Sequence, residues 1–286
     1  MESLVRALIE ATLRGATPLT FAAMGGLVCE RSGVINIGLE GLMLFGAFFA
    51  ALGSDRTGSP VLGLLTGVLA AVALSALHAL NTQRLRIDHV VSGVAVNAIA
   101  FGGTAFLILP LFGQHGSTPE VPAISQWVLI PIALALPFVA WLWLFQTRSG
   151  LHVLAVGNDP DKAAAMGLHP IRIRTGAVLM SGALAGLGGG FLSLAYVNQF
   201  SEAVTAGRGF IALAALVLGR WHPMGAFAAA LGFGLFDALQ IRMQGVPVLG
   251  LTAPSEFWSS LPYVLTIAAL IVFARRARPP AALGKT

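Results

Sequence analysis

The densest run of chemically able side chains is Glu30-Arg31-Ser32-Gly33-Val34-Ile35-Asn36-Ile37-Gly38-Leu39-Glu40-Gly41, where three charges, an amide and three glycines separate two apolar segments. A carboxylate several residues inside an apolar span is costly unless it is paired or lines a wet cavity. Glu40 therefore either lines such a cavity or braces a broken helix, and spacing alone leaves both open. Asn36 stands four residues before it, which on a continuous helix would put both on one face. Asn97 and Asp237, the latter followed three residues on by Gln240, are further polar groups within apolar segments. Each is a candidate contact for a transported ligand or a hydrogen-bonding group between helices. His78 and Asn81 read as interfacial residues near a segment end. Gly182, Gly186 and Gly190 repeat at the spacing that lets two helices approach closely, which is a packing signal.

Nothing in the chain assembles into a catalytic set. Gly284-Lys285-Thr286 resembles the end of a phosphate-binding loop, but Pro279 occupies the position of the required upstream glycine, so no nucleotide loop is expected. His-x-x-x-His and Cys-x-x-Cys spacings are absent, and the single Cys29 cannot form an internal disulfide. Ser181 has no histidine that would make it an intramembrane protease. No catalytic residue, metal or bound cofactor is expected in this chain.

The elements that must hold these residues are set by composition. Of 286 residues, 56% are hydrophobic and only 10% charged. A soluble domain carries about 25% charge to wet its surface, so an ordinary soluble enzyme is excluded. An all-α, polytopic helical bundle in lipid is the remaining class. Apolar stretches near the length of a bilayer crossing run over 5–28, 34–53, 60–83, 90–112, 125–146, 173–197, 209–220, 223–241 and 257–274. The early half of the first reads as an interfacial helix. The seventh is short and meets the eighth at Trp221-His222-Pro223, so this pair is expected to be a broken hairpin or re-entrant element. The count is eight or nine spans.

The net charge of +5 would suggest nucleic acid were its carriers clustered, but they lie between the apolar segments. Alternation puts Arg31, Arg84, Arg86, Arg148, Lys162, Arg172, Arg174, Arg220, Arg275, Arg276, Arg278 and Lys285 on one side. Arg6, Arg14, Arg56, Arg208 and Arg242 fall on the other. The richer side is cytoplasmic by the positive-inside rule, which places the C-terminus inside. Residues 113–124 lack Lys and Arg and suit an external loop. Residues 147–172 form the longest polar stretch, on the inside. There Asn158 or Asp159 caps a helix, Pro160 fits its first turn and Gly167 ends it. A loop that only connected two spans would not need a capped helix. A short echo between 46–52 and 225–231 is weak grounds for an internal repeat in a chain this rich in Ala and Gly.

The stretch from Glu30 to Gly46 resembles a segment of bacterial ABC-importer permeases. These belong to the group that holds ribose-type and branched-chain amino acid permeases, and the stretch is most like the guanosine/nucleoside, simple-sugar-type members. Ala155-Val156-Gly157-Asn158-Asp159-Pro160 with Ala163, Ala164 and Gly167 agrees, as do Gly207–Ala214 and Gly219–Pro223. The resemblance covers about residues 16–275. One departure is Asn158-Asp159-Pro160 where the usual pattern is Glu-Asn-Pro, and it keeps the capping chemistry.

The resemblance implies a single transmembrane permease domain over 1–286, in the bacterial inner membrane, importing nucleosides by alternating access. It implies a second permease, identical or different, a cytoplasmic ABC ATPase that uses ATP and magnesium, and an extracytoplasmic substrate-binding protein. The helix at about 159–166 becomes the coupling helix, with Gly157, Asn158, Asp159, Pro160, Ala163, Ala164 and Gly167 forming the ATPase contact. Asn36, Glu40, Asn97 and Asp237 become candidates for the substrate pathway. Two other readings stand beside it. The same machinery could carry ribose-like sugars or branched-chain amino acids. A stand-alone secondary transporter would instead use Glu40 or Asp237 as its proton carrier.

Overall fold

The computed structural model describes residues 2–243, residue 264 and residues 279–285. Ten helices follow in order: α1 (Glu2–Arg31), α2 (Leu39–Thr57), α3 (Pro60–Gln83), α4 (His89–Phe112), α5 (Gln126–Gln146), α6 (Arg148–Asn158), α7 (Pro160–Ala165), α8 (Pro170–Phe191), α9 (Arg208–Leu218) and α10 (Pro223–Met243). Helix α8 runs on through one π turn, Leu192–Tyr196. No strand occurs among the described residues, and five of the helices are long and apolar enough to cross a membrane. The ninth apolar stretch, 257–274, lies outside the described residues.

Helix α8 is the most buried of the five long apolar helices. In its apolar window 72% of residues are buried, against 28% to 33% for the other four long apolar helices. The reason is small side chains. Gly186 lies against Gly46 of α2 and Gly67 of α3, and Gly182 lies against Ala71 and Ser75 of α3. Lipid tails are as apolar as leucine, so helices in a membrane associate through such close backbone packing. The glycine spacing of α8 is therefore the α2–α3–α8 contact. On the outer surface Leu69 of α3, Phe106 of α4 and Val139 of α5 are exposed, as a surface in contact with lipid requires.

Two expectations are corrected. Helix α1 is continuous from residue 2 through Pro18, without a separate interfacial helix. Helix α2 starts at Leu39 rather than 34, because residues 32–38 form turns and irregular backbone. His78, near the end of α3, is fully buried among its neighbours. Its Nδ1 meets Ser92 Oγ at 2.9 Å and its Nε2 meets the Ile35 carbonyl at 3.1 Å. The 113–124 segment is more than a connection. Thr118, Val121 and Ile124 donate backbone hydrogen bonds to Phe200, Asn198 and Leu194, which ties it over the chain leaving α8.

Candidate functional site

The break between α1 and α2 dips into the bundle, and its exposed backbone groups find partners on three other helices. Ile35 N–H donates to His89 Nδ1 of α4 at 3.2 Å. The Ile37 carbonyl accepts from Asn97 Nδ2 at 3.1 Å, and Asn97 Oδ1 accepts from Gly41 N–H at 2.8 Å. Asn36 Nδ2 donates to Ser181 Oγ of α8 at 2.9 Å. Non-helical backbone at membrane depth survives only where protein or water satisfies it, and here side chains do so. Asn36 is in the non-helical segment, so it does not share a helix face with Glu40.

Helix α9 is a half-helix. Its eleven residues rise only about 16 Å, roughly half of a hydrocarbon core of about 30 Å. Gly207 precedes it with φ of 79°, a left-handed turn that suits glycine. Glu40 fills the N-terminus: Oε1 accepts from Gly207 N–H at 2.9 Å and Oε2 from Gly209 N–H at 2.6 Å. The carboxylate thus satisfies two otherwise unpaired donors and lies at the positive end of the helix dipole. A side chain on Gly209 would strike the Glu40 backbone, so glycine is required for the approach. Of the two open roles for Glu40, the geometry displays the brace.

The opposite end of α9 turns sharply into α10 through Arg220 and Trp221, both with positive φ (57° and 52°). That turn is fastened to the last residues of α1. Trp221 Nε1 donates to Glu30 Oε2 at 2.6 Å, and Arg31 Nε donates to the Trp221 carbonyl at 2.6 Å. The expected broken hairpin is this pair, α9 entering and α10 crossing.

The polar 147–172 stretch holds two helices, α6 and α7, of which only α7 was expected. Thr147 Oγ1 caps α6 by accepting from Gly150 N–H at 3.2 Å. Asp159 is the cap of α7: its Oδ1 accepts from Lys162 N–H at 3.0 Å and its Oδ2 pairs with Lys162 Nζ at 2.9 Å. Asn158 instead ends α6. The Lys162 backbone and side-chain donors hold the Asp159 carboxyl below its usual range, and Asp159 raises Lys162 in turn. Gly167 ends the turn at φ of 85°. Ala163 is buried while Ala164 is exposed.

Gly157, at the end of α6, lies directly on the Arg31 carbonyl, leaving no room for a Cβ. The tail strengthens this joint. Ala282 N–H donates to the Gly157 carbonyl at 3.0 Å and Gly284 N–H to the Gly33 carbonyl at 2.9 Å. Arg174 of α8 donates to the carbonyls of Ser32 at 3.2 Å and Lys285 at 3.0 Å. Sequence reasoning used Arg174 and the tail only as orientation signals, because their contacts run through backbone groups that leave no residue pattern.

Asp237 is apart from the other three pathway candidates. It faces a cavity of about 310 Å³ between α1 and α10, lined also by Glu10, Arg14, Tyr196, Ile241 and Arg242. Arg208, the first residue of α9, reaches Asp237 at 3.5 Å and stands 5.9 Å from the Tyr196 ring centre. The structure therefore brings Asn36, Glu40 and Asn97 together around the break and leaves Asp237 at a separate cavity, with α9 linking the two.

Comparison with known proteins agrees with this architecture. Residues 8–270 match the model of a family described as branched-chain amino acid transport system / permease component. The chain is 38% identical to the guanosine ABC transporter permease protein NupQ of Bacillus subtilis, over 97% of this chain and 95% of that protein. It is 37% identical to the nucleoside ABC transporter permease protein NupC of Lactococcus lactis, over 94% and 92%. A putative glucose ABC transporter permease protein of Haloferax volcanii is 33% identical, also over 94% and 92%.

Proposed function

The chain belongs to the branched-chain amino acid transport system / permease component family, and from that premise we propose that it is the membrane-spanning permease of an ATP-driven nucleoside importer. It spans the bacterial inner membrane with α6, α7 and the C-terminal tail on the cytoplasmic side. A second permease completes the pore, an ABC ATPase docks beneath, and a binding protein delivers cargo from outside. ATP and magnesium belong to the ATPase, and this chain converts its closure into access.

One observation carries the reading: half-helix α9 is held at both ends by groups that a moving cytoplasmic loop can reach. Docked ATPases grip α7 through Asn158, Asp159, Pro160, Ala164 and Gly167, while Ala163, expected in that contact, is buried and seats α7 against its own chain. Gly157 passes the displacement to the Arg31 carbonyl, and Arg31 passes it to Trp221 at the foot of α9. The head of α9 carries Arg208 to the Asp237 cavity and holds Glu40 at the break. A rigid helix moved at its foot shifts both contacts together, which is a shear motion between packed elements. Asn36, Glu40 and Asn97 then belong to the moving wall of the pathway, and Asp237 to its ligand-facing part.

Uptake of labelled guanosine by cells expressing the chain with its neighbouring permease, ATPase and binding protein tests the cargo. Adenosine and uridine in excess are expected to compete, and ribose, glucose and leucine are not. Competition by a sugar or leucine alone would keep the machine and replace its cargo, a reading that the glucose permeases among the relatives and the family's description leave open. The proton-driven alternative has less support, since both Glu40 oxygens are engaged by backbone N–H groups and Asp237 is paired with Arg208.

A further inference from the structure

We infer that the cavity between α1 and α10 reads the base of the cargo, and that it is built for a 6-oxo-2-amino purine, the guanine edge. The inference rests on the nucleoside reading and deepens it.

Depth is the first argument. Arg14 stands 17 residues above Arg31 on α1 and Asp237 14 residues above Pro223 on α10, about 25 Å and 21 Å up their helices. With Arg31 and Pro223 taken at the cytoplasmic boundary, both fall inside the outer half of a core about 30 Å thick. Charges at that depth face protein or a wet cavity, never lipid. The apolar outer surfaces of α3, α4 and α5 suit lipid, so the α1–α10 side, with two carboxylates and two guanidinium groups, is the one that borders the transport route.

Unmet hydrogen bonding is the second. Arg14 lines the cavity, and its Nε is buried without a hydrogen-bond partner among the described residues. Nε itself is too buried for a ligand to reach, but the terminal nitrogens of Arg14 are not, and they too carry no hydrogen bond among the described residues, so they are the donors the cavity presents. Asp237 holds Arg208 only at 3.5 Å, a loose pair that leaves carboxylate lone pairs for a donor.

Shape and chemistry give the class. At about 310 Å³ the cavity is at the small end of ligand sites. It offers a tyrosine ring at its edge, guanidinium donors and carboxylate acceptors. A flat ring stacks on Tyr196. An arginine fork matches the adjacent O6 and N7 acceptors of guanine, while N1–H and the 2-amino group donate to a carboxylate. Adenine reverses the pattern, placing an amino donor toward the arginine and a bare N1 toward the carboxylate. Uracil has no N7. Arg14 and Asp237 are therefore assigned as the pair that separates guanine from adenine, within the permease itself.

Equilibrium binding of labelled guanosine to the assembled permease–ATPase complex in nanodiscs, without the binding protein, tests this. Guanosine is expected to displace the label better than inosine, which lacks the 2-amino group, and inosine better than adenosine. Arg14→Gln should weaken guanosine by roughly tenfold or more. Asp237→Asn should shrink the preference for guanosine over adenosine, a change of selectivity that a packing defect alone does not produce. Tyr196→Leu, at an exposed position, should weaken all purines alike and serves if Asp237→Asn does not assemble. Guanosine binding that is absent, or whose base preference is the same in assembled Arg14→Gln and Asp237→Asn complexes, overturns the inference while leaving cellular nucleoside uptake standing. Loss of nucleoside competition in cells would overturn the nucleoside reading itself.

Discussion

At the scale of single residues, the account turns on Glu40, which is 2% exposed and bonded to two backbone donors at the head of α9. Glu40→Ala leaves those donors buried and unpaired, so thermal unfolding of the assembled complex should show a loss of about 1–3 kcal/mol. Glu40→Gln keeps an acceptor and should recover much of that loss, whereas a proton carrier would fail equally with either substitution. Asp159 gives a pH expectation. Its folded carboxyl is held below the ordinary value by Lys162, so its contribution to the α7 cap is complete above the unfolded value. It is lost only as pH falls through the depressed folded one. ATPase binding to the permease should then be flat across neutral pH, and Asp159→Ala should weaken it at every pH. The sequence made these residue types conspicuous because charges and amides are rare in it. Their partners were not legible: Glu40 meets Gly207 and Gly209 across more than half the chain, through backbone N–H groups that every residue carries.

At the scale of elements, the clearest helices were those with strong end signals. Ser59-Pro60 starts α3 and fixes the span at 60–83 as expected. The start of α2 was misjudged because Val34, Ile35 and Ile37 are apolar and hide a break whose hydrogen bonds come from other helices. Helix α6 was missed because Arg148-Ser149-Gly150 reads as a polar loop, and its threonine cap lies one residue outside it. The joint between α6 and α1 can be tested directly. Gly157→Ala has no space for its methyl and should leave ATP hydrolysis by the complex in place while lowering uptake. A double-mutant cycle on Arg31→Gln and Trp221→Phe should show coupling, since both act at one turn. Removal of residues 279–286 should mimic Gly157→Ala in part, because it frees the Gly157 and Gly33 carbonyls and one Arg174 contact. Additive effects of Arg31→Gln and Trp221→Phe on uptake would break the proposed route through α9.

At the scale of the whole molecule, composition set the solvent, and the solvent set most of the rest. With a tenth of its residues charged, the chain keeps apolar side chains outward on α3, α4 and α5, brings glycines together around α8, and reserves its membrane-depth charges for α1, α2, α9 and α10. The α7 end and the Asp237 cavity are opposite ends of one connected set of contacts. The central claim is that force applied at α7 reaches the cavity through α9. The most direct measurement is guanosine uptake per ATP hydrolysed, in proteoliposomes holding the complete transporter, for the native chain and for a Gly157→Asp, Ala164→Glu variant. The account expects uptake per ATP to collapse in the variant while base-selective guanosine binding at the α1–α10 cavity stays intact. Uptake that survives the variant, or that proceeds in the native transporter without ATP, would contradict it.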